Sequence, residues 1–114
     1  MTKLVAVLAH CSNYPNPIAF SPGQRVRTGI EDTEYPGWIR VTTPDGNEGW
    51  APKQYLDLEN DSSEATCLRE YCARELDTLR GEELLLLETL NDWHRVRNTR
   101  GEEGWVPCAT TTPL

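Results

Sequence analysis

Gly37–Leu56, GWIRVTTPDGNEGWAPKQYL, returns 55 positions later as Asp92–Pro107, DWHRVRNTRGEEGWVP, and this recurrence decides how the chain is read. Trp38 matches Trp93, Gly46 Gly101, Glu48 Glu103, Gly49 Gly104, Trp50 Trp105 and Pro52 Pro107, all without a gap. Ungapped recurrence of rare Trp together with Gly and Pro marks an internal repeat. Each copy reads as a hairpin. Trp38, Arg40 and Thr42 alternate with Ile39 and Val41, the period-2 signature of a half-buried strand, and Pro44-Asp45-Gly46 supplies turn chemistry before Glu48–Ala51 runs back. With Ile39 and Val41 pointing to a core, strand phase turns Trp38 and Arg40 outward. In the second copy His94 and Val96 take the inner positions, and Trp93, Arg95 and Arg97 the outer ones.

Two copies within 114 residues give two domains of somewhat under 60 residues each. The expected boundaries are 1–58 and 65–114, joined at 59–64 by a short linker whose Asn60–Glu64, NDSSE, has linker composition. Domains of that size bury only about 60% of the unfolded chain's surface, so contact between them would help each.

Taken in order, Leu4–Leu8 suits a first strand, and Cys11–Ala19, with Asn13, Pro15, Asn16 and Pro17, a long loop. Pro22-Gly23 marks a turn before a strand at Gln24–Thr28. Gly29–Gly37 is a second loop carrying Glu31, Asp32 and Glu34. Pro52–Tyr55 has room for one 3₁₀ turn. The run Leu84–Leu87 reads as a strand despite its helix propensity, because the repeat requires one there. Leu84 and Leu86 then face inward, so Leu85 and Leu87 need another cover, in the partner domain or in a second chain.

Charge is uneven. Residues 1–58 carry five basic against six acidic side chains, net −1, and residues 59–114 six against twelve, net −6. That balance excludes the clustered Lys and Arg of a nucleic-acid binder. Cys11, Cys67, Cys72 and Cys108 form no CxxC pair and have no metal-ligand spacing with His10 or His94, so no metal or cofactor is expected and the thiols read as idle, with Cys67 inward. The start, MTKLVAVLAHC, is too short an apolar run for a signal peptide and no spanning stretch follows, so the chain reads as cytoplasmic, with no membrane partner.

In order and spacing these residues resemble the Src-homology 3 (SH3) family in double copy, in the style of small bacterial SH3-containing proteins. The first copy offers Ala6–His10, Ile18–Gly23, Gly37-Trp38-Ile39 and Gly49–Tyr55; the second Cys67–Tyr71, Leu76, Gly81-Glu82, Asp92-Trp93-His94 and Gly104–Pro107. The resemblance implies an all-β fold of two tandem small β-barrels binding Pro-rich or extended peptides in an aromatic groove. Carried over residue by residue, it implies a first groove of Trp38, Trp50, Pro52 and Tyr55. His10 stands where a tyrosine is usual and Tyr14 replaces a lost ring. The ligand-reading acids, normally in the first long loop, are absent from Asn13–Pro17, and Glu31, Asp32 and Glu34 substitute. The second groove offers Tyr71, Trp93, Trp105 and Pro107, with Thr110 at the place of the closing tyrosine.

Two functions of different class follow. The first is a non-catalytic adaptor binding a peptide weakly through the Trp38 groove. The second is a pair of structural barrels with degenerate grooves, serving as a subunit or oligomerisation element. An enzyme is not expected, since His10 and His94 are single and no phosphate loop or metal pair is present.

Overall fold

The computed structural model describes residues 2–12, 16–58 and 63–114. Among these residues the chain is all-β, with short 3₁₀ turns at Lys53–Tyr55 and Cys108–Thr110 and no α-helix. It divides into two compact units that are not consecutive in sequence. One, here the central unit, is Asn16–Ala73; the other, the terminal unit, combines Met1–Pro15 with Arg74–Leu114.

The central unit contains β2 (Ala19–Phe20), β3 (Arg25–Glu31), β4 (Trp38–Thr42), β5 (Glu48–Pro52), β6 (Leu56–Leu58), β7 (Glu64–Cys67) and β8 (Tyr71–Cys72). Five of them form an antiparallel sheet in the order β5-β4-β3-β7-β6, and β2 pairs with β8. Its β4–β5 hairpin is the one read from the sequence, in the register Trp38↔Pro52 to Thr42↔Glu48. Gly46 closes the turn at φ 85°, and its repeat partner Gly101 does so at 84°, a conformation that disfavours any Cβ. The inner side chains include Ile18, Val26, Ile39, Val41, Ala65 and Cys67.

The terminal unit contains β1 (Lys3–Ala6), β9 (Glu83–Leu90), β10 (Trp93–Asn98), β11 (Glu103–Pro107) and β12 (Thr111–Pro113), in the order β11-β10-β9-β1-β12. Leu4, Leu76, Leu84, Val96 and Val106 form its core, with Leu86 packed against them. The leucine run is a strand with Leu84 inward, while Leu85 and Leu87 are half-buried.

The repeat therefore does not fold as consecutive halves. Each copy begins with a strand that inserts in the other copy's sheet. β1 lies between β9 and β12 in the register Leu4↔Leu84 and Leu4↔Pro113, and β7 lies between β3 and β6 with Val26↔Ala65 and Leu56↔Cys67. The compact units are accordingly not 1–58 and 65–114, and of the stretch expected as an interdomain linker, 59–64, Glu64 opens β7, the strand that pairs with β6 in one sheet. Residues 59–62 themselves lie outside the described residues. A repeat match reports which segments are alike and is silent on which copy each strand joins. Neither five-stranded sheet closes on itself, so the closed barrels implied by the resemblance are two open sheets. Gly29–Glu31, expected as loop, extends β3 past a register shift between Thr28 and Glu31.

Candidate functional site

Both copies hold an aromatic cluster at the end of the long loop that follows the first strand. The exchange decides its membership. In the central unit, Tyr71 of β8 sits 5.2 Å from Phe20 and 5.7 Å from Tyr55 between ring centroids, and its hydroxyl donates to the Trp50 carbonyl at 3.0 Å. Tyr71, expected in the second groove, is thus a member of the first. The Arg69 guanidinium lies 4.1 Å from the Tyr55 ring centre, a cation–π cover over that ring.

Trp38 is only 7% exposed, and Tyr55, Tyr71 and Pro52 are buried as well. The outward Trp38 expected from strand phase is therefore not on the surface. Alternation fixes the face on which a side chain lies, and says nothing of whether that face meets solvent. Trp50 is half-buried, with Arg40 of the neighbouring strand 5.5 Å from its ring. The expected wall of acids is largely engaged. Glu31 is paired with Lys53, and Asp32 Oδ1 accepts the amides of Glu34 at 2.8 Å and Tyr35 at 3.2 Å, while Glu34 is exposed. Tyr14 lies outside the described residues.

The terminal unit presents the more open counterpart. His10, expected in the first groove, belongs here: its backbone bridges Thr78, and its ring stands edge-on to Trp93 at 5.8 Å. Trp93, Pro107 and Thr110 are half-buried, and Leu8 is exposed where the central unit has Arg69 over its tyrosine. Thr110 replaces the ring of Tyr55, and its carbonyl accepts the Val7 amide at 2.8 Å. Trp105, expected in this groove, is buried instead, with its backbone bonded to Arg74 and Leu76.

The first long loop of this unit is assembled from residues 7–12 and 74–78, and it brings acids that the sequential reading did not find there. His10 Nε2 lies 2.8 Å from Glu75 Oε1, with the two side chains 13% and 10% exposed. Asp77 Oδ1 accepts the Ser12 amide at 2.6 Å. The Thr78 hydroxyl is buried without a hydrogen-bond partner among the described residues, so the floor beside His10 is more polar than the Phe20 position of the central unit.

The second loop differs too. In the terminal unit it shrinks to Asn91-Asp92, at φ 49° and 69°, values close to those of a two-residue type I′ turn. No long loop stands beside Trp93, whereas residues 32–37 lead into Trp38. The repeated Gly49 and Gly104 have a packing cause: a Cβ there would come within 3.0 Å of Ile18 and of Leu76, the loop residues seated on them.

Burial lowers the His94 pKa, and its Nδ1 lies 2.7 Å from the Thr89 hydroxyl. Burial, and then the Asp92 carboxylate, push the Cys108 thiol up, and burial alone raises Cys67. These thiols are therefore poor thiolates at neutral pH. Cys11 and Cys72 are exposed.

The SH3 domain family model matches residues 70–108. That stretch starts at the last residues of the central unit and runs through the whole Trp93 hairpin of the terminal one. The match supports an SH3 domain and, with it, a protein–protein interaction module of a generally non-catalytic kind. No curated protein and no solved structure gives a significant match. No helix among the described residues is long and apolar enough to cross a membrane.

Sequence reasoning missed Glu75 and Asp77, together with the exchange of Tyr71 and His10. One signal was available. Cys11 and Cys72 follow His10 and Tyr71 directly, marking these two as equivalent positions and so as the pair that a strand exchange would trade.

Proposed function

We propose that the protein is a non-catalytic adaptor that binds an extended, proline-containing peptide bearing a basic side chain. The site is the terminal unit's cluster of Leu8, His10, Glu75, Trp93, Pro107 and Thr110. The observation that carries the reading is the contrast between the two clusters: Trp38 is 7% exposed, with Tyr55 under Arg69, whereas Trp93, Pro107 and Thr110 remain half-buried and Leu8 is exposed. A rigid indole and proline offer contact area at little entropic loss, and extended proline segments suit such surfaces. Glu75 beside the Trp93–His10 pair supplies the acid that the resemblance places in this loop.

The site is short, so affinity is on the order of micromolar or weaker. The test is a titration of isotope-labelled protein with a pool of proline-rich peptides, followed at the four Trp indole signals. Trp93→Ala loses the response while keeping the fold. Trp38→Ala loses stability by about 3–5 kcal/mol, as for a buried ring. A response that disappears with Trp38 in a folded protein, and survives in Trp93→Ala, sinks this assignment.

The second reading, a structural element whose grooves are closed, is favoured by the central unit's buried aromatics. In that reading a second chain would use Leu85 and Leu87. Their half-buried state leaves less area for such contact than fully exposed leucines would.

A further inference from the structure

The His10–Glu75 pair lies within the site proposed above, and it joins the two chain segments that build it. Glu75 is the acid a basic ligand would meet beside Trp93. The same carboxylate already touches an imidazole nitrogen, a group that can be neutral or positively charged. We propose that protonation of His10 gates the site: the imidazolium claims Glu75 as an internal ion pair, and a basic peptide binds only as that pair is released.

The inference rests on the peptide-binding reading and adds its regulation. With a neutral imidazole, the 2.8 Å contact is a hydrogen bond and the carboxylate keeps its full charge for a cation. With a protonated imidazole, the charge of Glu75 is cancelled from within, and the imidazolium repels the incoming cation. Both side chains are nearly buried, so the competition takes place where water screens little. Proton and basic peptide thus oppose each other, and binding weakens as pH falls.

Other titratable groups on the surrounding elements do not duplicate this pair. On residues 74–82 they are Arg74, which pairs with Glu102 at 3.4 Å, Asp77, which accepts the Ser12 amide, and Arg80 and Glu82, the latter accepting the Leu79 amide at 3.0 Å. Asp92 and the Cys108 thiol lie at the Trp93 end of β10, and Cys11 follows His10. His94 is bonded to Thr89.

The experiment titrates the full-length chain with a synthetic proline-rich peptide carrying one Arg, and with its twin bearing Ala in place of that Arg. Affinity is read from the Trp indole signals at about pH 8 and about pH 5.5. Wild type is expected to bind the Arg peptide about tenfold more weakly at the lower pH, within the range usual for coupling between two ligands. His10→Gln, which keeps an amide donor for Glu75 but cannot titrate, should lose that dependence, whereas His94→Gln should retain it. Glu75→Gln should bind the Arg peptide at about pH 8 as weakly as wild type does at the lower pH, because the acid that meets the cation is gone. Equal wild-type affinities at the two pH values, or a slope that persists in His10→Gln, overturn the gate and leave the binding reading intact. No binding of either peptide at either pH overturns the binding reading, and the gate with it.

Discussion

Leu4→Ala separates the exchanged chain from a sequential one. Leu4 is 3% exposed and packs with Leu76, Leu84, Val96 and Val106 in the terminal unit, although it belongs to the first copy of the repeat. Removing its branched end from a packed cluster costs about 2–5 kcal/mol through lost transfer and the cavity left behind. A unit of this size has a total stability of only about 3–8 kcal/mol at the usual value per residue, so the loss takes a large share. Urea unfolding followed by methyl signals reads the units separately: Val96 and Val106 report the terminal unit, Val26 and Val41 the central one. At a slope of about 1 kcal/mol per molar urea, the terminal midpoint should fall by roughly 2 M or more, with the central midpoint moving far less. A fall confined to Val26 and Val41 is what sequential pairing demands, and it would refute the exchange.

Proteolytic cleavage within residues 59–62 should leave the two fragments bound to each other through purification, because each sheet would then hold strands from both; free fragments on gel filtration would contradict the topology. Gly104→Ala places a Cβ 3.0 Å from the Leu76 amide nitrogen and 3.1 Å from the Arg74 carbonyl, so it should destabilise the terminal unit by about 1–3 kcal/mol in the same urea assay. Glu103 has a lowered pKa, first through the hydrogen bond from Arg97 and then by the charges of Arg97 and Arg95. Its contribution is present above the ordinary carboxylate value and is lost as pH falls through the lower native one, so Glu103→Gln should flatten the acid limb of the stability profile. The depressed pKa of His94 acts in the same direction at higher pH, because unfolding frees an imidazole that takes up a proton; stability should decline as pH falls below the ordinary imidazole value, and His94→Asn should remove that decline.

The elements themselves were legible. Alternation along Trp38–Thr42, the glycine turns and the repeated Gly-Trp-x-Pro define hairpins by local chemistry, which is why β4, β5, β10 and β11 fall where the pattern puts them. The partnership of the first strands was not legible, because Leu4-Val5-Ala6 and Ala65-Thr66-Cys67 carry the same small apolar alternation and would suit either sheet. Nothing local records a pairing that spans 82 positions from Lys3 to Leu85. The candidate site inherited that error. Sequential pairing joins His10 to Trp38 and Tyr71 to Trp93, and it leaves Glu75 out of both grooves. The burial of Trp38 escapes for another reason: alternation fixes the face of a side chain, whereas exposure depends on what covers that face.

The exchanged first strands also order events during synthesis. Every pairing within the central sheet closes between residues 25 and 67, so that sheet can be completed while the C-terminal strands have yet to be made. β1 emerges first and waits longest, since its partners in β9 and β12 come last, the latter at Pro113. Until β7 follows, the seat between β3 and β6 is vacant, and β1 is the one finished strand of matching pattern. A nascent chain thus passes through an interval in which the sequential pairing is the only one available to it. A chain that takes that pairing reaches the exchanged state only once β7 displaces β1, a slow step of the kind expected where contacts span most of a chain.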